Sequence, residues 1–183
     1  MFAWEPSELP GVPREVIEHH LAVRPGAHPV KQKARRQAKE RQDFIEQEVL
    51  KLEAAGVVRR ILYPTWTANP VCVPKPSGKK RMCIDFTDLN RACPKDPFPL
   101  PRIDQIVDST AGCELLCFLD AFSGYHQIHM SAEDEEKTAF ISPLGCHCYT
   151  RMPFGLKNAG ATFQRVMRMC LGSQMGRDRK SVV

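Results

Sequence analysis

Residues Leu115 to Leu119 form an apolar run that ends directly in a carboxylate, Asp120. A short continuous apolar run bounded by turn signals is the pattern of a buried strand. An ionised carboxylate buried without a partner is strongly disfavoured. Asp120 therefore belongs at the open end of that strand or on a cation. The plainer alternative is an Asp that caps the strand and opens the turn after it. Gly124 and Tyr125 follow, and a second short run restarts from Gln127 to Met130.

Upstream, residues 1–30 carry Pro6, Pro10, Pro13, Pro25 and Pro29, which deny a continuous helix and predict an extended connecting segment. His19 and His20 read as a solvated pair, because no partnering ligand lies near them in sequence. From Gln32 to Ala55 the pattern is helical. Phe44, Ile45, Val49 and Leu52 fall near the 3.6-residue period, and Gly56 supplies a stop. The start of this stretch is basic, with Lys31, Lys33, Arg35, Arg36, Lys39 and Arg41. Two readings stand: a solvated face balanced by Glu40, Glu46 and Glu48, or a patch that contacts phosphates.

Val71 and Val73 alternate as in a strand, Pro76-Ser77-Gly78 reads as a hairpin tip, and Arg81 to Phe86 is the return strand. Lys75, Lys79, Lys80 and Arg81 flank that tip. Such cations can close over a triphosphate, or simply solubilise a loop. Cys93 to Pro101 is a proline-stiffened connector. A helix follows with Ile103, Ile106 and Val107 on one face, ended by Gly112. Ser131 to Asp134 offers a side-chain cap and an acidic first turn. Residues 137–142 and 146–151 predict a hairpin about Pro143-Leu144-Gly145. Asn158 is placed to cap a helix whose apolar face is Phe163, Val166, Met167 and Cys170.

Formal net charge is +5, which permits a nucleic-acid partner without demanding one. No apolar run reaches the roughly 18 residues of a membrane span. The N-terminus lacks the basic-then-apolar order of a signal peptide, so the chain reads as intracellular. Its eight cysteines are then expected as thiols. Cys146-His147-Cys148 is the tight cluster among them, and the missing two-to-four-residue ligand spacings argue against structural zinc.

Four segments, in order, carry a family resemblance. The segment from Phe118 to Ile128 resembles the first metal-binding aspartate segment of reverse transcriptases, in the form carried by Ty3/gypsy-type LTR retrotransposons. Lys75 to Asn90 resembles the fingers hairpin of that family. Lys137-Thr138-Ala139-Phe140 and Met152 to Gln164, with its Pro-Phe-Gly turn, resemble two further motifs, the whole being similar to plant elements. Gly160 stands where many members have Pro.

The resemblance implies an α+β fold, the fingers and partial palm of a right-hand polymerase, without a thumb. Fingers would be 31–94 and 128–157, palm 95–127 and 158–183, with 1–30 a connecting segment. It implies RNA-directed DNA polymerase chemistry with two Mg2+ ions, and Asp120 as catalytic metal ligand. Lys75 and Arg81 would contact the triphosphate, Ala121 and Phe122 would offer it backbone, and Phe154 and Gly155 would line the nucleotide pocket. Tyr125 would stand as an aromatic wall against a ribose 2′-hydroxyl, which would clash there and lose its solvation. Asp85 and Asn90 would be structural or template-positioning. Implied partners are an RNA or DNA template–primer, deoxynucleoside triphosphates, and the remainder of a polyprotein or an oligomer partner, with no membrane. The implied location is a cytoplasmic particle or the nucleus.

The family's other two metal aspartates form an aromatic-x-Asp-Asp turn beyond the last helix. Here that region reads Leu171 to Val183, where Asp178 sits among Arg177, Arg179 and Lys180 as a salt-linked surface residue. One carboxylate does not hold two cations, so this chain by itself is expected not to polymerise DNA. The alternative is a catalytically dead remnant that binds nucleic acid. A palm sheet lacking the Asp-Asp hairpin is expected to leave an edge strand unpaired.

Overall fold

The structure is a computed structural model that describes residues 8, 10–76, 78, 80–116, 118 and 120–172. Pro6, Ser77, Lys79, Cys117, Leu119 and the charged cluster at 177–180 lie outside the described residues. The central layer is a three-stranded antiparallel sheet of order β2-β7-β6, from β2 (Val58–Arg60), β6 (Phe140–Ser142) and β7 (Gly145–Tyr149). Phe140 faces His147 and Ser142 faces Gly145 across the β6–β7 turn. The expected hairpin is therefore present. Both faces of β7 are covered, and His147 and Cys148 are both buried.

α1 (Lys39–Ala54) lies beside this sheet and buries Ile45 and Val49 in one core with Val58, Ile128, Met130, Phe140, Met152 and Val166. It stops where expected, at Gly56, whose φ of +67° is costly for any residue with a Cβ. It starts later than expected. Residues 32–37 stay extended because other partners hold them: Gln32 N–H donates to Thr67 O at 3.0 Å and Arg35 N–H to Asn69 Oδ1 at 3.0 Å. The basic run is thus split between a strand-like segment and the first turns of α1.

β3 (Pro70–Pro74) and β4 (Lys80–Ile84) form the expected separate hairpin, with Val73 opposite Arg81. α2 (Thr87–Ala92) follows, then α3 (Ile103–Thr110). Among the described residues the apolar face of α3 is largely exposed, with Ile106 half-buried. Ile103 is 77% exposed, and Val107 is exposed as well.

The predicted strand at 115–119 is not formed among the described residues. Leu115 is 88% and Phe118 86% exposed, and no described strand lies beside them. A strand exists by pairing, and an apolar run without a neighbour has nothing to hydrogen-bond. Leu116 is exposed as well, so the described apolar residues of this run, Leu115, Leu116 and Phe118, all face water. Asp120 is exposed too.

The N-terminal segment is extended, as its prolines predict, but it is a strap rather than a mere connector. Val12 N–H donates to Gln127 O at 2.7 Å, and β1 (Glu18–His19) pairs parallel with β5 (His129–Met130). Farther on, Arg24 N–H donates to Ala92 O and Thr67 N–H to Val30 O. His19 is not solvated. It is 1% exposed, and its Nδ1 lies 2.8 Å from Thr162 Oγ1. Burial pushes its pKa down to about 4, leaving it neutral.

The one-turn α4 (Ala132–Glu135) fastens this strap. Leu21 N–H donates to Asp134 Oδ2 at 2.6 Å, while Glu135 takes Arg59 at 2.8 Å and Arg14 at 3.7 Å. Ser131 makes no side-chain cap, contrary to expectation, since its residue is buried under the strap. Nor does Asn158 cap α5 (Ala159–Leu171). Its carboxamide is already used: Oδ1 accepts from Asp96 N–H at 3.0 Å and Nδ2 donates to Pro94 O at 2.9 Å. Phe163 and Val166 of α5 are buried as expected, but Cys170, at its far end, is exposed.

Candidate functional site

An aromatic cluster and a polar groove stand out from the residues upward. Ser123 adopts a left-handed conformation (φ 47°, ψ 41°) and starts the 3-10 turn Gly124–Gln127. Positive φ in a residue with a Cβ is uncommon and costs energy. It turns Tyr125 onto Phe154, with ring centroids 4.8 Å apart and planes at 18°. Phe163 of α5 supports Tyr125 at 5.3 Å, and His126 meets Phe154 edge-on at 5.5 Å. Burial, and then the Arg151 charge, push His126 down to about 4, so it is a neutral part of the cluster. Gly155 has φ +95° and lies against the Ile84 carbonyl and the Phe86 ring, at the base of the β3–β4 hairpin.

Of the residues expected at a nucleotide pocket, Tyr125, Phe154 and Gly155 are brought together. Lys75 and Arg81 both lie exposed on the hairpin, and among the described residues neither side chain has a hydrogen bond or ion pair. Lys80 of the same hairpin is instead paired with Glu40 of α1. Asp120, Ala121 and Phe122 lie exposed on the segment leading into the 3-10 turn. Gly124 N–H donates to Ala121 O at 3.0 Å and Gln127 Nε2 to Phe122 O at 2.8 Å, so these carbonyls are engaged in the turn. Among the described residues no hydrogen bond or ring contact links Asp120 to the hairpin cations or to the aromatic cluster.

A two-ion centre needs carboxylates that bridge ions about 3.5–4 Å apart. Among the described residues no three His, Cys, Asp or Glu side chains come together as a metal-binding group. Among the described residues the donor set around Asp120 is a single carboxylate, which does not fit such a pair.

The polar groove has a volume of about 430 Å3 and is lined by Gln32, Lys33, Arg35, Asn69, Asp85, Thr87, Asp88 and Arg91. Asn69, 2% exposed, is its hub. Its Nδ2 donates to Gln32 Oε1 at 3.1 Å and to Lys33 O at 2.9 Å. Arg35 pairs with Asp85 at 2.9 Å. The Thr87 hydroxyl and N–H, with Arg35, hold the Asp85 carboxyl below its usual range. Asp85 is thus tied into the groove wall by Arg35 and Thr87. The part of Asn69 was not apparent in the sequence, where its one signal is an amide placed between Ala68 and the first residue of a strand. Among the described residues no helix is long and apolar enough to cross a membrane.

Hairpin, three-stranded sheet, α5 and aromatic turn together define a piece of a right-hand polymerase. The chain belongs to the reverse transcriptase (RNA-dependent DNA polymerase) family, whose model matches residues 73–181. It is a reverse transcriptase domain of the Ty3/gypsy retrotransposon type. It is 36% identical over 131 residues to the retrovirus-related Pol polyprotein from transposon 297 of Drosophila melanogaster, covering 69% of this chain and 12% of that protein. It is 36% identical over 140 residues to the corresponding polyprotein from transposon gypsy of the same fly, covering 74% and 14%. The chain thus spans about an eighth of the length of these curated relatives. Among solved structures, the foamy viral protease-reverse transcriptase in complex with RNA/DNA hybrid matches with a TM-score of 0.71 at 21% identity, over 87% of this chain and 21% of that one. The same viral protein in complex with double-stranded DNA matches with a TM-score of 0.67 at 21% identity, over 91% and 28%. At that identity the likeness is one of fold.

Proposed function

We propose that this chain is the template- and nucleotide-binding portion of an RNA-directed DNA polymerase, and that it does not polymerise on its own. Residues 31–94 and 128–157 act as fingers, 95–127 and 158–183 as palm. The observation that carries the reading is the Tyr125–Phe154 stack, five residues along the chain from Asp120. A flat aromatic wall accommodates a deoxyribose and penalises a 2′-hydroxyl, which would have to shed water against a ring. Lys75 and Arg81, free of other partners among the described residues, are available to a triphosphate. Lys33, Arg35 and Arg91 line a groove that suits a phosphate backbone, with Asp85 and Asp88 keeping the arginines in place. Each phosphate neutralised there releases counterions, so binding weakens steeply with salt.

The test is fluorescence anisotropy with an RNA template–DNA primer, read at about 50 and 200 mM salt, beside primer extension with Mg2+, dTTP and an Asp120→Asn control. Salt-sensitive binding without extension is the expected result. A chain that fails to bind at low salt overturns the proposal. Extension that disappears in the Asp120→Asn control overturns the inactivity part of it, because Asp120 would then be working with other carboxylates.

A further inference from the structure

Asn90 lies in the last turn of α2, away from the aromatic cluster in sequence, yet it grips the turn that carries Phe154. Its Nδ2 donates to Gly155 O at 2.8 Å, and its Oδ1 accepts from Lys157 N–H at 2.8 Å. One carboxamide therefore closes across the Gly155–Lys157 backbone as a neighbouring strand would. Lys157 reciprocates, its Nζ donating to Asn90 O at 3.3 Å and to Cys93 O at 2.9 Å. From the other side, Gly155 lies against the end of β4, where an added Cβ would be in ordinary contact with the Ile84 carbonyl oxygen at 3.5 Å and the Phe86 ring at 3.6 Å. The turn is held from both sides.

Tyr125 has no such anchorage. Among the described residues its hydroxyl makes no hydrogen bond, and its ring is held by Phe154 and Phe163. On its α5 side the hydroxyl has only the backbone of Gly160, which presents no side chain to grip it; an added Cβ there would lie 3.6 Å away, at ordinary contact distance. The placement of the ring therefore depends on the placement of Phe154.

We propose that Asn90 is a positioning residue for the Tyr125 wall. Its carboxamide fixes the Phe154–Gly155 turn, and the turn fixes the Tyr125 ring. The inference rests on the reading of Tyr125 as the wall that faces the sugar. The chemistry of the clasp is demanding. It needs a donor and an acceptor on one flat group at one fixed reach. An ionised Asp offers no donor and turns a second oxygen toward the Gly155 carbonyl, and Leu offers neither bond. Discrimination against a 2′-hydroxyl is thus sensitive to a residue that touches neither nucleotide nor metal.

The experiment is NMR of the whole 183-residue chain with labelled tyrosine rings, of which there are three. The variants are Asn90→Asp and Asn90→Leu, with Phe154→Leu as the reference for a lost stack. The expected result has Tyr125 ring resonances moving in both Asn90 variants toward their Phe154→Leu positions, while those of Tyr63 and Tyr149 stay in place. Exchange of the Lys157 amide is expected to accelerate at least about tenfold, as the loss of a protecting bond allows. Asn90→Ser, whose hydroxyl is too short to span the turn, gives the same reading if Asn90→Asp does not fold. Faster Lys157 exchange with unmoved Tyr125 resonances overturns the proposal, as does a Tyr125 signal indifferent to all three substitutions.

A second arm adds dTTP or UTP with template–primer. Tyr125 is expected to respond more to dTTP than to UTP in the wild type, and equally to both in Asn90→Asp. A wild-type Tyr125 that ignores both nucleotides overturns the wall reading, whereas the shifts in the free chain decide the Asn90 clasp by themselves.

Discussion

Gln32 and Asn69 share one oxygen: Gln32 Oε1 accepts from both the backbone N–H and the Nδ2 of Asn69, each at 3.1 Å. Through this pair the extended segment ahead of α1 is laid beside the start of β3, and the groove gains a fixed wall. Asn69 Oδ1 in turn accepts from Arg35 N–H, so a buried amide has every bond it can use on neighbouring backbone or side chain.

Replacing Asn69 by Leu keeps the branched shape but leaves the part-buried Arg35 N–H and Lys33 carbonyl without their Asn69 partners. The expected cost is about 2–4 kcal/mol of unfolding free energy. A urea titration measures it. The same variant is expected to bind template–primer several-fold more weakly at low salt, because Lys33 and Arg35 lose their fixed positions. Binding unchanged from wild type would separate the groove from the nucleic acid.

Acid should loosen the fold well before the carboxyls titrate. His19 and His126 have pKa values lowered by burial from 6.5 to about 4, and burial lowers His129 and His147 as well. The unfolded chain therefore binds more protons than the folded one between pH 6.5 and 4, and stability falls as pH drops through that window. The loss approaches about 3 kcal/mol per ring for the two most shifted histidines. Urea midpoints measured from pH 7.5 to 4.5 should decline throughout; a flat profile would count against the burial of these rings.

Gly124 has no room for a side chain. A Cβ there would lie 2.8 Å from Phe163 Cε2 and 3.1 Å from Ala121 Cβ. Since Phe163 is buried, Gly124→Ala is expected to destabilise by about 1–3 kcal/mol. Adding Phe163→Leu should recover part of that loss, and a double-mutant cycle on urea midpoints would show whether the two positions are coupled.

Arg165 holds Asp96 with two bonds, at 2.6 and 2.8 Å, while its guanidinium lies 4.6 Å over the Phe98 ring. The Arg165 hydrogen bonds keep the Asp96 carboxyl below its usual range, so this pair holds at neutral pH and is lost only as that carboxyl protonates in acid. Partial exposure limits its worth to about 1 kcal/mol. Arg165→Lys should lose most of this, since an ammonium neither forks nor stacks. Thermal melts of the two proteins at neutral pH, compared at matched salt, test it.

Ile103, Val107, Leu115 and Phe118 leave apolar surface in water. Exposed patches of this kind promote association. Light scattering should show apparent mass rising with protein concentration, and Leu115→Lys with Phe118→Ser should suppress the rise. A monomer over the whole range would mean that these side chains do not form one sticky patch.

What the sequence made legible was local or carried by motif. The apolar spacing in α1 placed Ile45 and Val49 inward, Gly56 marked the stop, and the β3–β4 and β6–β7 hairpins announced themselves by their turns. Family motifs named Tyr125 and Phe154 together, and the fold brings the two rings into a stack. Long-range competition hid the rest. Asn158 is a good cap in isolation, but the Asp96 N–H and the Pro94 carbonyl claim its carboxamide. His19 looked solvated because Thr162, its partner, is 143 positions away. The run at 115–119 reads as a strand because its composition is right, but its described residues, Leu115, Leu116 and Phe118, are exposed, and strand formation needs a neighbour that composition cannot supply.

The strap has a consequence in time. Arg14 donates to the carbonyl of Met130, 116 positions later. At about 5–20 residues per second, a ribosome makes that intervening length in on the order of ten seconds. Throughout that interval residues 12–19 wait for the partners that will hold them, the Gln127 carbonyl and the strand His129–Met130.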